Sequence, residues 1–137
     1  MSTLRFECLE PIKTPLANKF YSQYKARGRA SKNDQVWVAY YDLMIVAACR
    51  IQTRGGCLFL STLLVAPVWR GHGVAKQLLK HALSQQSAQV YTFAYAHLVD
   101  FYQLVGFNLV LALPSPLDKL LAVYLQRKVV AMQYKLE

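Results

Sequence analysis

Acidic residues are scarce in this chain, whose 137 residues include seven Asp and Glu against sixteen Lys and Arg. The resulting net charge of +9 draws anionic ligands toward the surface, whether nucleic acid, an acidic protein or a polyanionic cofactor. The sequence also lacks any dense run of basic residues and any zinc-finger spacing. Because nucleic-acid-binding proteins concentrate their positive charge, the scattered pattern argues against nucleic acid as the partner.

Cysteine is equally sparse, and no two cysteines show the C-x-x-C spacing of zinc or redox motifs. The three cysteines, Cys8, Cys49 and Cys57, are odd in number and lie among apolar neighbours. This pattern predicts buried free thiols in place of a disulfide framework or a zinc site. We therefore expect no metal in the function.

Long apolar runs are missing as well. The longest weakly polar stretch, residues 57–69, is interrupted by serine, threonine and proline, and it falls short of the roughly 20 residues that a membrane-spanning helix needs. The first ten residues carry charged side chains at Arg5, Glu7 and Glu10, where a secretory signal would need an apolar stretch. We therefore expect no membrane segment and a cytoplasmic location.

The length of the chain suits one domain over residues 1–137 with one hydrophobic core. Hydrophobic residues make up 55% of the chain and charged residues 17%, which is well away from the composition of disordered proteins. Part of this apolar surface is expected to be covered by a partner, and the strand-rich C-terminal part favours a homodimer.

Alternating, β-branched and aromatic runs predict the strands, and apolar residues at helical spacing predict the helices. The strands are expected at residues 4–8, 35–41, 43–52, 57–65, 90–95, 107–111 and 129–136. The helices are expected at residues 13–29, 70–85, 98–105 and 117–126. The strand at 57–65 is apolar at nearly every position, as expected when both of its faces are covered.

The most informative segment is residues 63–79, where a buried strand passes through Pro67 into a glycine-rich turn and then into an amphipathic helix. The first N–H groups of a helix have no internal partner, and the helix macrodipole adds positive potential there. Gly71 and Gly73 would let a phosphate approach the chain with no Cβ in the way. The segment therefore predicts an anion site on the backbone amides of residues 70–75. It is neither a P-loop nor a G-x-G-x-x-G dinucleotide motif.

This segment resembles the cofactor motif R/Q-x-x-G-x-G/A of the GNAT (Gcn5-related N-acetyltransferase) superfamily, which Arg70, Gly73 and Ala75 match. The strand before it ends in V-x-P, as in that family. Roughly thirty residues downstream, the pattern F-Y-x-x-x-G-F at residues 101–107 resembles the aromatic helix of GNAT proteins. Two such motifs at this separation make the resemblance stronger than either motif alone.

The resemblance implies an α/β (α+β) fold with a mixed, mostly antiparallel central sheet of six to seven strands flanked by helices. Two central parallel strands are expected to splay apart. It also implies acetyl-CoA as the cosubstrate, with the pantetheine arm between the splayed strands and the diphosphate on the glycine-rich turn. The residues expected to bind it are Leu63, Leu64, Val65, Arg70, Gly71, His72, Gly73, Val74 and Ala75.

The activity that the resemblance implies is transfer of an acetyl group to a primary amine of a small molecule or a protein. The unprotonated amine attacks the thioester directly, and backbone N–H groups near Val65 stabilise the oxyanion. Tyr102, the tyrosine of the aromatic helix, is expected to protonate the departing thiolate. The loops at residues 25–34 and 113–118 are expected to set the identity of the acceptor.

The chain departs from the better-understood GNAT enzymes in its general base. Many members place a Glu on the strand that here is residues 58–65, whereas Ser61 and Thr62 are the polar side chains of this strand. The alternatives are Asp100, His97, His72 and an ordered water chain. The missing Glu also leaves open a non-catalytic module that binds acyl-CoA as a regulator or sensor.

Overall fold

The computed structural model describes residues 3–124 and 127–136, and these contain seven strands and four α-helices. The strands are β1 (Leu4–Cys8), β2 (Gln35–Tyr41), β3 (Met44–Arg54), β4 (Cys57–Val65), β5 (Val90–Tyr95), β6 (Phe107–Leu109) and β7 (Val129–Tyr134). The helices are α1 (Thr14–Gln23), α2 (Val74–Ser84), α3 (Val99–Val105) and α4 (Ser115–Tyr124). The strands form a sheet in the order β1-β2-β3-β4-β5-β7-β6.

Strands β4 and β5 pair in parallel, with a register that runs from Leu58 opposite Val90 to Leu60 opposite Thr92. The Thr92 hydroxyl donates a hydrogen bond of 2.9 Å to the Leu60 carbonyl at the end of this register. The pairs β1–β2, β2–β3, β5–β7 and β6–β7 are antiparallel. The predicted mixed, mostly antiparallel sheet with central parallel strands and flanking helices is confirmed.

Strand boundaries follow local sequence signals closely. β2, β4 and β5 begin and end at the predicted residues, and β3, β6 and β7 differ from the prediction by at most two residues at either end. Turn residues such as Gly55 and Gly56, which both have positive φ, and Pro67 after β4 set these limits.

Helix α1 ends at Gln23, so the predicted end of this helix at residue 29 was wrong. The chain leaves the helix at Lys25, which adopts a left-handed conformation with φ of 54°. The N–H of Lys25 donates to the Ser22 carbonyl and that of Ala26 to the Tyr21 carbonyl. This is the Schellman arrangement, which usually places glycine at the left-handed position, so a lysine there did not signal the end of the helix.

Helix α4 begins at Ser115, two residues before the prediction, because Pro116 fits the first turn of a helix. A Cβ added to Gly55 would lie 2.5 Å from the Pro116 ring, so α4 packs closely on the turn between β3 and β4. Residues 125 and 126 of the predicted helix lie outside the described residues.

Contacts divide the chain into two compact units: residues 1–51 with 61–85, and residues 52–60 with 86–137. The expectation of one domain over residues 1–137 stays a prediction. In the first unit, α1 and β2 contribute most of a buried apolar cluster that includes Phe20, Tyr21 and Val38. In the second unit, Phe59 of β4 and Tyr91 of β5 pack on Leu117 of α4.

The prediction that β4 is covered on both faces holds for its centre and is wrong for its second half. Phe59 and Leu60 are buried, whereas Ser61 to Val65 are all only partly buried. A strand covered on both faces and a strand with one accessible face can have the same apolar composition, so the sequence did not distinguish the two cases. The exposed half is the part that the family resemblance assigns to the pantetheine arm.

The cysteines are free thiols, as predicted, but they are not all buried. Cys49 in β3 is fully buried, and this burial raises the pKa of its thiol well above the usual value. Cys8 is exposed because it is the last residue of β1, which lies at the edge of the sheet.

Tyr21 carries the buried side-chain oxygen that has no hydrogen-bond partner among the described residues. Desolvation raises the pKa of Tyr21 well above its usual value, with smaller contributions from Cys49 and Asp34 that also raise it and one from Arg50 that lowers it. In the unfolded chain the phenol ionises near pH 10. Because the unfolded state then releases a proton that the folded state keeps, the free energy of unfolding falls as the pH rises above about 10.

We therefore expect Tyr21→Phe to match the wild type in stability at pH 7 or to exceed it, because the lost hydroxyl had no partner. Above pH 10 the variant should become the more stable protein. Urea unfolding at pH 7, 9 and 10.5 measures this, with Tyr24→Phe as the control for a partly exposed tyrosine nearby. Parallel pH profiles for Tyr21→Phe and the wild type would show that the burial of this hydroxyl is not maintained in solution.

Every helix within residues 3–124 and 127–136 is too short or too polar to cross a lipid bilayer. In the same residues, no three His, Cys, Asp or Glu side chains are grouped as a metal site requires. The expectations of a homodimer and of a reaction without metal stay predictions.

Candidate functional site

The glycine-rich turn begins directly after β4. A 3-10 turn, Pro67–Trp69, leads into Arg70, and Gly71 and Gly73 follow with φ of 80° and 76°. These angles lie in the left-handed region that glycine adopts without strain. They also exclude an α-helix over these residues, so α2 begins at Val74, four residues later than predicted.

The N-terminus of α2 has the features of an anion site. Gly73 is the N-cap and offers no side chain to cap the helix, and the first turn contains no acidic residue. The Gln77 N–H donates to the Gly73 carbonyl over 3.1 Å. The N–H groups of residues 74–76 precede this bond, so helix geometry leaves them without an intrahelical acceptor. With the positive end of the macrodipole behind them, they favour a bound anion.

The turn is open on its outer side. A Cβ added to Gly71 would meet no protein atom within 4 Å, and one added to Gly73 would meet the Gln77 side-chain nitrogen at 3.8 Å. Glycine is therefore required here by backbone conformation and not by crowding within the protein. Gly71, His72 and Gly73 are all exposed, so a ligand can approach their amides.

The turn is anchored on its inner side by three contacts. The Nε of Arg70 donates to the Val65 carbonyl over 3.3 Å. The His72 ring contacts Trp69 edge-on at 5.9 Å between centroids, and Trp69 packs on Tyr41 at 4.8 Å. Val74, the first residue of α2, is buried.

All nine residues that were predicted to bind the cofactor lie in the first compact unit, at the end of β4 and in the turn that follows it. Tyr102 lies in the second unit, on α3. It is buried, and its ring meets Phe101 and Phe107 edge-on at 5.2 Å and 5.5 Å. Among the candidate bases, His72, His97 and Asp100 are all exposed.

Sequence reasoning missed the backbone conformation of Thr62, which has φ of 54° inside β4. A left-handed conformation is unfavourable for a β-branched residue and marks a strained position. Thr62 comes directly before Leu63 to Val65, so the strain lies at the start of the segment assigned to the pantetheine arm. Such strain persists only where the surrounding structure fixes it.

Arg50 of β3 supplies that fixation. Its Nε donates to the Thr62 hydroxyl over 2.8 Å, and its Nη1 donates to the Asp34 carboxylate over 3.0 Å. The Arg50 and Asp34 side chains are 13% and 8% exposed, so this is a largely buried ion pair. An arginine inside the otherwise apolar stretch of β3 is the sequence signal that points to this role.

Gly28 lies close to the side chains of Arg50 and Thr62. A Cβ added there would lie 3.2 Å from the Arg50 Nη2 and 3.3 Å from the Thr62 hydroxyl, so a side chain would crowd both. The Asp34 carboxylate also accepts a hydrogen bond of 2.9 Å from the Ser31 N–H. Asp34 thus links this segment through Arg50 to the strained position at Thr62, and Gly28 lies close to the same two residues.

The fold resembles that of several solved structures. N-acetylglutamate synthase from Neisseria gonorrhoeae, solved with coenzyme A and N-acetyl-glutamate, has a TM-score of 0.71 and 11% identity; the match covers 100% of this chain and 36% of that protein. ElaA from Escherichia coli has a TM-score of 0.68 and 17% identity, covering 96% of this chain and 99% of its own. An acyl-CoA N-acyltransferase from Pseudomonas aeruginosa has a TM-score of 0.67 and 18% identity, with the same coverage of 96% and 99%. No curated protein sequence matches the chain.

The mixed sheet and its flanking helices are those of the acyl-CoA N-acyltransferase fold. The sequence matches the acetyltransferase (GNAT) domain family over residues 8–113, which is most of the chain. The chain belongs to this family, as its motifs predicted, and it is an acyl-CoA-dependent N-acyltransferase.

Proposed function

We propose that the chain transfers the acetyl group of acetyl-CoA to a primary amine of a small molecule or a protein. The observation that carries this proposal is the segment of residues 70–75, where two exposed left-handed glycines lead into the N-terminus of α2 and leave room for a ligand. The diphosphate of acetyl-CoA would accept hydrogen bonds from these amides. The structure of N-acetylglutamate synthase, a protein of similar fold, contains coenzyme A and supports this assignment.

In the proposed reaction the nitrogen of the neutral amine attacks the thioester carbonyl carbon. Backbone N–H groups of Leu63, Leu64 and Val65 bind the pantetheine arm and stabilise the oxyanion. The C–S bond then breaks, and the Tyr102 hydroxyl gives its proton to the departing sulfur. The acylated nitrogen loses one proton to water, and Tyr102 takes a proton back from water, which completes the cycle.

The general base of this reaction stays open among the candidates that the sequence offers. The Thr62 hydroxyl accepts a hydrogen bond from Arg50. This bond engages the hydroxyl in holding the strand. His72, His97 and Asp100 are all exposed. We propose that the amine enters in its neutral form, which a modest amine pKa permits without a strong base.

The test combines acetyl-CoA with a panel of primary amines and follows the release of free thiol. The wild type should release thiol only when an amine is present, and Tyr102→Phe should lower kcat about 100-fold, the lower end of what a general acid contributes. Acetyl-CoA affinity, read from the shift in Tm with ligand, should be unchanged in this variant. Tyr134→Phe is the control, because Tyr134 packs on Phe107 as Tyr102 does.

The outcomes separate the two functions that the sequence leaves open. A Tm shift with acetyl-CoA and no thiol release with any amine would favour the acyl-CoA sensor. Unchanged kcat in Tyr102→Phe would remove Tyr102 from the mechanism and leave the rest of the proposal in place. A protein that neither shifts with acetyl-CoA nor releases thiol would contradict the proposal as a whole.

A further inference from the structure

A cleft of about 420 Å³ lies beside α1, within the first compact unit. One wall is the exposed side of α1 and the other is the segment of residues 29–32. The volume is within the range of small-molecule sites in proteins. None of the residues predicted to bind acetyl-CoA lines this cleft.

The lining of the cleft carries charge of one sign. Lys19 and Ser22 line the wall formed by α1, and Arg29, Ser31 and Lys32 line the opposite wall. No acidic residue lines the cleft, and none of the three cations forms an ion pair with a residue that the structure describes. Cations that face one site without carboxylates produce a local positive potential that concentrates anions.

The two walls of the cleft are joined by hydrogen bonds within the protein. The Asn18 side chain is buried between the walls and makes two hydrogen bonds with the backbone of Ala30. Its amide nitrogen donates to the Ala30 carbonyl over 2.9 Å, and its oxygen accepts from the Ala30 N–H over 2.7 Å. A ligand would therefore bind without the cost of ordering the second wall.

The wall of residues 29–32 is also linked to β4, the strand that is assigned to the pantetheine arm. Residues 29–32 lie between Gly28, which sits over the Thr62 hydroxyl, and Asp34, which binds Arg50. Residues 29–32 are therefore linked through Asp34 and Arg50 to Thr62 of β4, the residue next to Leu63. This connects the cleft to the place where the proposed acetyl transfer occurs.

We propose that the cleft binds the oxyanion end of the acceptor, so that the acceptor is a small amine carrying a carboxylate or a phosphate. This inference rests on the proposed acetyl transfer and names its substrate class. Arg29 offers a planar fork for two oxyanion oxygens, and Lys19 and Lys32 add charge from the two sides.

The experiment compares amines that differ only in the anionic group. The pairs are 4-aminobutyrate with 4-aminobutanamide for the carboxylate, and phosphoethanolamine with ethanolamine for the phosphate. The wild type should show a kcat/KM at least tenfold higher for one or both anions than for the neutral partner. Which pair shows the larger ratio distinguishes a carboxylate from a phosphate.

The variant Lys19→Gln/Arg29→Gln/Lys32→Gln should lose this preference at least tenfold while the KM for acetyl-CoA is unchanged. Lys13→Gln/Arg54→Gln/Lys80→Gln removes the same charge from exposed positions outside the cleft and should keep the preference. A wild type that prefers the neutral amines, or a cleft variant with an unaltered preference, would overturn the inference. If the KM for acetyl-CoA rises in the cleft variant and not in the control variant, the inference is also overturned and the cleft is assigned to the cofactor.

A binding measurement keeps the inference testable if no amine in the panel reacts. Calorimetry with citrate and with inorganic phosphate, on the coenzyme A-saturated protein at low salt, should give heat for the wild type and the control variant and none for the cleft variant. Absence of heat with the wild type would overturn the cleft as an anion site. An acetyl-CoA-dependent rise in Tm in the same samples shows separately whether the cofactor site exists.

Discussion

Replacing Gly71 by alanine is expected to weaken acetyl-CoA binding about 100-fold. A left-handed conformation costs an L-residue about 1–2 kcal/mol, and relief of this strain would turn the backbone amides of the loop away from the ligand. The new methyl group would also occupy the open side of the turn, where the diphosphate would approach. Loss of one or two hydrogen bonds to a charged group, about 1.5–3 kcal/mol each, accounts for this change in affinity.

Gly56→Ala is a closely matched control for this variant. Gly56 has φ of 83° against 80° for Gly71, and a Cβ at either position would meet no protein atom within 4 Å. The two variants should therefore lose similar amounts of Tm without ligand, because the backbone strain is the same. Acetyl-CoA should raise the Tm of the wild type and of Gly56→Ala but have little effect on Gly71→Ala. Equal shifts in both variants would place the diphosphate elsewhere.

Arg50→Ala is expected to lower the free energy of unfolding by about 3–5 kcal/mol, the usual cost of breaking a buried ion pair. The substitution leaves the Asp34 carboxylate largely buried without its partner and removes the donor to the Thr62 hydroxyl. Urea unfolding measures the loss of stability. Arg50→Lys should recover only part of it, because one ammonium group does not reproduce the fork that reaches both partners.

A double variant separates stability from the support of Thr62. Arg50→Met with Asp34→Leu removes both charges and replaces them by apolar side chains, which often restores much of the stability of a buried pair. It still has no donor for the Thr62 hydroxyl. If Arg50 acts by positioning the strained strand, this protein should fold and bind acetyl-CoA but show kcat lowered about tenfold or more. Wild-type kcat in a stable double variant would limit the pair to a structural role.

The parts of the fold that the sequence predicted are those set by neighbouring residues. Strands β2, β4 and β5 match because apolar, β-branched and aromatic runs and the turn residues that bound them act over a few positions. The glycine-rich turn was also predictable, because its motif is contiguous. Helix α1 was mispredicted because Lys25 takes the left-handed position that glycine usually occupies, and nothing in its neighbours requires this.

The group around Arg50 was not predictable, because it depends on three distant segments. Asp34, Arg50 and Thr62 come from a loop and two strands and meet only in the folded protein. Threonine favours the extended backbone of a strand, so its propensity does not predict the strained left-handed backbone of Thr62. Burial along β4 was not predictable either. The apolar composition of the strand did not show which half would stay accessible.

The clamp between Asn18 and Ala30 has a consequence for how this protein can diverge. The wall of residues 29–32 is held by the backbone of Ala30 and by its flanking anchors, and not by the cations that line the cleft. Mutations at Lys19, Arg29 and Lys32 should therefore leave the scaffold intact, since all three side chains are exposed. A lineage that changes these three positions can acquire a new preference at little cost in stability, so descendants of one ancestor can share a scaffold while serving different metabolites.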